Sequence, residues 1–73
     1  MSRAAVIGEA LRVQGFALAG AVVCPSDSRD EARAAWQALP PDVVVVILTA
    51  GAAAWLGEEL SQRPGVLPVV MRA

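Results

Sequence analysis

The chain has 73 residues, 56% of them apolar, with six arginines against seven carboxylates and no histidine. That size makes one small domain with a thin stability margin, and that apolar content rules out intrinsic disorder. A net charge of −1 builds no basic stripe for nucleic acid, and no apolar run approaches the ~20 residues that span a bilayer.

Four β-branched-rich runs of strand length occur in order. The first, RAAVI, covers 3–7. The segment GEALRVQGFALAG follows, and its periodicity is mixed. Leu11, Gly15 and Leu18 share one helical stripe, whereas Val13, Phe16 and Ala17 share another on nearly the opposite side. Either the helix distorts at Gly15 or it carries two apolar faces. The second run, GAVVC, covers 20–24 and ends on the lone cysteine, Cys24. A single thiol allows no intrachain disulfide and, without histidine, has no imidazole to activate it. Cys24 is expected to be a small buried hydrophobe near a strand end.

A helix is then predicted within PSDSRDEARAAWQALPP. Ser28 and Glu31 have capping-box spacing, Asp30 and Glu31 suit the positive end of the helix dipole, and Pro40-Pro41 stop it. Ala32, Ala35, Trp36 and Leu39 form its apolar face. The third run, VVVVIL, covers 43–48 without a polar break, as expected of a strand buried on both sides. Thr49 can cap a further helix within AGAAAWLGEELSQR, where Ala52, Leu56 and Leu60 line one face and Trp55 falls at its edge. Gly51 and Gly57 weaken that helix, and Pro64-Gly65 end it. The fourth run, VLPVVM, covers 66–71.

Alternating strands and helices with short connections predict an α/β fold over 1–73: a β-α-β-α-β-α-β chain forming an open, four-stranded parallel sheet of order 2-1-3-4. Right-handed crossovers put the first helix on one face and the other two on the opposite face. The sequence stops at Ala73, so no fourth helix is expected beside the first. Strands three and four should then expose apolar side chains, a docking surface for a partner or a second copy. Val44, Val46 and Val69 are the candidates on that face; Trp55, at the edge of the third helix, is a candidate interface anchor, and Phe16 is a further candidate interface residue.

Sites of chemistry are sparse. The switch point beyond the first and third strands offers Gly8-Glu9 and Thr49-Ala50. There is no G-x-G-x-x-G and no Gly-Lys-Ser/Thr loop, and the chain has no lysine. A receiver-like phosphoacceptor needs an aspartate where Thr49 stands. Glu9 is expected as a charge in the first helical turn, and Glu58-Glu59 as a solvated pair. No catalytic residue, cofactor or metal ligand set is predicted.

Three stretches resemble the F subunit of the V-type (A-type) rotary ATPases. VIGEALRVQGFALAG is similar to the family's opening strand, Gly-acidic pair and V-x-G-F-x-L-A-G segment through Val6, Ile7, Gly8, Glu9, Val13, Gly15, Phe16, Leu18, Ala19 and Gly20. DVVVVILTA keeps the family's spacing between Asp42 and Thr49, and LPVV resembles its last strand. Arg12, Ala17 and Ala50 depart from the family's common Thr, Arg and Glu, and the family's C-terminal helical segment has no counterpart here. The resemblance implies a non-catalytic central-stalk protein, on the flavodoxin- or receiver-like layout that the order of strands and helices predicts. It further implies a cytoplasmic location, held at the membrane through its complex without inserting. There the family binds the coiled coil of the D subunit and helps couple ATP turnover to ion transport. The alternative is a free-standing homo-oligomeric module that pairs its uncovered faces.

Overall fold

The computed structural model describes residues 2–72, the side chains of 17–19 excepted. Strands β1 (Arg3–Gly8), β2 (Val22–Pro25), β3 (Val43–Leu48) and β4 (Leu67–Val70) form one parallel sheet of order β2-β1-β3-β4. Helix α1 (Ala10–Val13) packs on β1 and β2. Helices α2 (Arg29–Gln37) and α3 (Ala50–Leu56) pack on each other, α2 over β1 and β2 and α3 over β1 and β3.

The register separates the two faces. Ala5 and Ile7 lie beside Val46 and Leu48, and all four join Ala32, Trp36, Leu39, Ala52 and Leu56 in the core beneath α2 and α3. On the other face Val6 and Val13 are fully buried but lie outside that cluster, as expected beneath α1. The predicted topology and division of helices are therefore present.

The helical segments differ from the prediction in two places. The first is α-helical only to Val13, then winds as a 3-10 segment over Gln14–Ala19. The winding changes one residue before Gly15, the first of the two readings that the periodicity leaves open, and of the described side chains Val13 is buried, Phe16 half-buried and Leu11 83% exposed. The expected stripes through Ala17 and Leu18 involve side chains outside the described residues. In the third helical segment, Gly57 adopts φ +53, where L side chains are strained, so α3 ends at Leu56 and a 3-10 segment Gly57–Ser61 follows. Leu60 still packs against the core from that tighter turn.

The cap of α2 also differs in detail. Ser28 Oγ accepts the Glu31 amide at 3.2 Å, as its spacing requires. The Glu31 carboxylate returns not to Ser28 but to the Asp27 amide, at 2.8 Å. The other end of α2 is closed by a residue with no sequence signal. Arg63, in the loop before β4, donates to the carbonyls of Trp36 and, at 3.1 Å, Leu39, with its guanidinium 6.0 Å from the Trp36 ring centre. It supplies positive charge and donors where the helix presents unpaired carbonyls. Arg63→Ala is expected to lower unfolding free energy by about 1.5–3 kcal/mol, the usual worth of charged hydrogen bonds of this kind. Urea denaturation measures it, and a shift within about 0.3 kcal/mol would show that the clamp contributes nothing.

Candidate functional site: a closed switch point and an open sheet face

The strand order reverses between β1 and β3, so their carboxyl ends meet where open α/β sheets hold ligands. Ile7 pairs with Leu48 and accepts the Thr49 amide at 3.1 Å, which brings Gly8-Glu9 against Thr49. Thr49 is buried, and its hydroxyl oxygen accepts the Ala52 amide at 3.2 Å, the expected cap of α3. The same hydroxyl donates to the Glu9 carboxylate. Glu9 therefore ties the β1–α1 loop to the start of α3.

Two glycines make this contact possible. A Cβ on Gly8 would lie 2.2 Å from Thr49 Cγ2, and one on Gly51 would lie 2.6 Å from Glu9 Oε2. The adjacent β2–α2 loop closes the same end, with Ser26 buried, its amide on the Gly8 carbonyl at 2.7 Å, and Asp27 accepting the Ala10 amide at 3.3 Å. The crevice is thus filled by the chain's own side chains and loop contacts.

The Thr49 hydrogen bond is the main cause that holds the Glu9 carboxyl below its ordinary 4.5. Its own amide and Arg12 add to that effect, and burial opposes it. Asp42 is likewise held below its ordinary value, chiefly by its hydrogen bonds from Arg3 at 2.6 and 2.9 Å. Both groups bind protons less readily folded than unfolded. The stability they contribute is complete above their unfolded values and is lost as pH falls through the lower folded ones. Glu9→Gln, which keeps an acceptor for Thr49 without a titrating proton, should show a shallower fall in melting temperature below about pH 5 than the wild type. Identical acid limbs for the two proteins would remove Glu9 from that role.

The opposite feature is an uncovered surface. Ala4, Val45 and Leu67 form one row across β1, β3 and β4, and Val6, Ile47 and Val69 form the next. By register both rows face the α1 side. Val6 is sealed, but Ala4, Val45 and Ile47 are only partly buried, and Leu67 and Val69 are 60% and 43% exposed. Helix α1 and its 3-10 extension cover β1 and β2, and among the described residues no helix packs broadly on β4.

The expected patch on β3 and β4 is therefore there, but it is not made of the residues expected. Val46 lies on the core face and has no accessible surface. The cause is a register shift between Arg3 and Ala4, which pair with Val43 and Val45 and leave Val44 as an extra residue in β3. That irregularity puts Val43 and Val46, three apart, into the same core. Val44 is half-exposed at the bulge. Of the candidates, Val69 belongs to the open rows, joined there by Val45, Ile47 and Leu67. Trp55 sits on α3 against the core cluster, on the other side of the sheet. Phe16 is half-buried in the 3-10 segment that packs on β2, at the far edge. The two aromatic residues and Val69 do not share one surface.

Cys24 is half-buried against the core, and burial pushes its thiol above the usual range. Among the described residues no acidic or thiol cluster could hold a metal ion, and no helix is long and apolar enough to cross a membrane.

A family model for the ATP synthase F/14-kDa subunit matches residues 4–72, nearly the whole chain. The chain belongs to that family. No curated protein and no solved structure matches it. Membership makes it a component of the V/A-type rotary ATPases and points to association with other subunits of such a complex. In this F-family chain, the matched span includes the closed switch point, all but the first residue of β1 and the whole of the two open rows.

Proposed function

We infer that this chain is a non-catalytic central-stalk component of a V/A-type ATPase. It binds the coiled-coil rotor protein, the D subunit of such complexes, and helps transmit rotation between ATP turnover and ion transport. Its place is then the cytoplasmic side of the membrane, held there through the complex. The observation that carries the reading is the pair of apolar rows on β3 and β4, in a chain whose family assembles with other subunits. Burying Leu67 and Val69 there would remove from water side chains each worth roughly 1.5–3 kcal/mol when fully covered. The filled switch point accords with a role in binding rather than chemistry.

The experiment is coexpression of the full chain with the coiled-coil rotor protein of a V/A-type ATPase, followed by size-exclusion chromatography. A one-to-one complex is expected. Separate elution of the two chains, with this one running as a symmetric dimer, would replace the stalk reading with the homo-oligomeric module.

A further inference from the structure

The central strand β3 is held at both ends, but not in the same way. Val45 to Leu48 pair without a break with Ala4 to Ile7 on one side and with Leu67 to Val70 on the other. Just past them the Thr49 amide bonds to the Ile7 carbonyl, and the Thr49 side chain packs against Gly8 so closely that a Cβ there would stand 2.2 Å from it. A slip of one residue at this end would break all of these at once. The amino end is different, because the β4 ladder begins at Val45 and Val43 and Val44 lie beyond it. There Arg3 takes Val43 as its partner. The Arg3 amide bonds to the Asp42 carbonyl at 2.8 Å, and its guanidinium holds the Asp42 carboxylate through Nε at 2.6 Å and Nη2 at 2.9 Å.

The two fixed points do not match in length. Four residue steps separate Arg3 from Ile7, and five separate their partners Val43 and Leu48. The spare residue is Val44, 39% exposed at the bulge, while Val43 is 2% exposed in the core.

The same sequence has a regular ladder available to it. Continued back from Ile7 and Leu48 without a break, that ladder pairs Arg3 with Val44. Alternation then puts Val44 in the core beside Val46 and Leu48 and turns Val43 outward with Val45 and Ile47. Either register buries one valine at this end and leaves one outside, so burial does not choose between them. The bulge disrupts the ladder locally, which favours the regular register. Against it stands the two-pronged ion pair, because a slip carries Asp42 about 3.3 Å along the strand and away from Arg3. An exposed ion pair adds little to overall stability, but here it acts on a choice between two nearly equal burials.

We propose that Arg3 and Asp42 form a register lock: they select the bulged pairing of β3 and so decide that Val43, rather than Val44, closes the amino end of the core. Residues 45–48 keep their partners in both registers, so the lock sets that end of the sheet alone.

The test follows the valine methyl groups of the full chain by nuclear Overhauser contacts in wild type, Arg3→Ala, Asp42→Asn, the Arg3→Ala/Asp42→Asn double variant and a chain lacking Val44. In wild type Val43 should contact the core cluster and Val44 should not. In each lock variant Val44 should take over those contacts in at least about one molecule in ten. The double variant should match either single one, since the lock needs both partners. Deleting Val44 leaves Arg3 against Val43 and Ala4 against Val45 with no bulge. That chain should keep the wild-type Val43 contacts and unfold at a urea midpoint no lower than that of wild type. Val43 contacts unchanged in Arg3→Ala and Asp42→Asn overturn the lock. Lock variants that do not fold also overturn it, since the regular register would then not exist without the clamp. A deletion chain without a cooperative transition overturns the assignment of Val44 as the spare residue, and the lock with it.

Discussion

Gly8→Ala should lower the unfolding free energy by about 1–3 kcal/mol, toward the upper end of the usual cost of overpacking. Gly8 is not among the residues with positive φ, so backbone freedom is not the reason for it. The reason is distance: its Cβ would stand 2.2, 2.6 and 2.9 Å from three atoms of the Thr49 side chain. Thr49 cannot swing aside without cost, because it is buried, caps α3 through the Ala52 amide and holds Glu9. One methyl group therefore strains a strand end, a helix cap and a loop contact together. Gly15 is the control, since a Cβ there meets nothing within 4 Å and its φ is not positive. Gly15→Ala should be neutral or stabilising by up to about 1 kcal/mol. Urea titrations of both variants decide the matter, and equal stabilities would show that the Gly8 contact is not tight in solution.

The second large effect separates two valines in neighbouring strands. Val46→Asp puts a carboxylate into the apolar core cluster that holds Ala5, Leu48 and Leu56. An uncompensated buried charge costs about 3–5 kcal/mol, a large share of what a domain this small has, so the variant should be unfolded. Val69→Asp places the same group on a side chain 43% exposed at the sheet edge, where the expected change in stability is within about 1 kcal/mol. It should keep a wild-type circular dichroism spectrum and melting transition, yet elute apart from the coiled-coil rotor protein. Folded Val46→Asp that still binds would place Val46 off the core. Folded Val69→Asp that binds as wild type does would remove the open rows from the interface.

The contrast shows where the sequence was legible. Strand and helix order, the 2-1-3-4 sheet and the division of helices between faces follow from periodicity and crossover handedness, and each is present. The parity of VVVVIL does not follow, because four consecutive valines look alike from either face. Only the partner strand reveals that Val44 is extra and that Val45 and Ile47, rather than Val46, face outward. Near Gly15 the conflicting stripes leave a distortion and a two-faced helix both open, and the 3-10 winding from Gln14 is the first of these, with Leu11 of one stripe exposed.

The link between Glu9 and Thr49 was half legible. Both residues stand just past neighbouring parallel strands, so the topology brings them together, and their pairing needed only that step. Arg63 was not legible at all. Its partners are backbone carbonyls 24 and 27 residues away, and a carbonyl carries no sequence signature. Trp55 and Phe16 stand apart from the open rows. Trp55 lies beside the α3 stripe as expected, but α3 is on the covered side of the sheet, so an exposed helix edge there does not adjoin the open rows.

A titration followed through methyl resonances bears most directly on the uncovered rows. With the coiled-coil rotor protein added, the methyl groups of Val45, Ile47, Leu67 and Val69 should shift or broaden together, while those of Val46, Leu48 and Leu56 stay in place. Shifts confined to residues of α2 and α3, with those four methyl groups unmoved, would put the partner on the wrong side of the sheet for everything concluded about this surface.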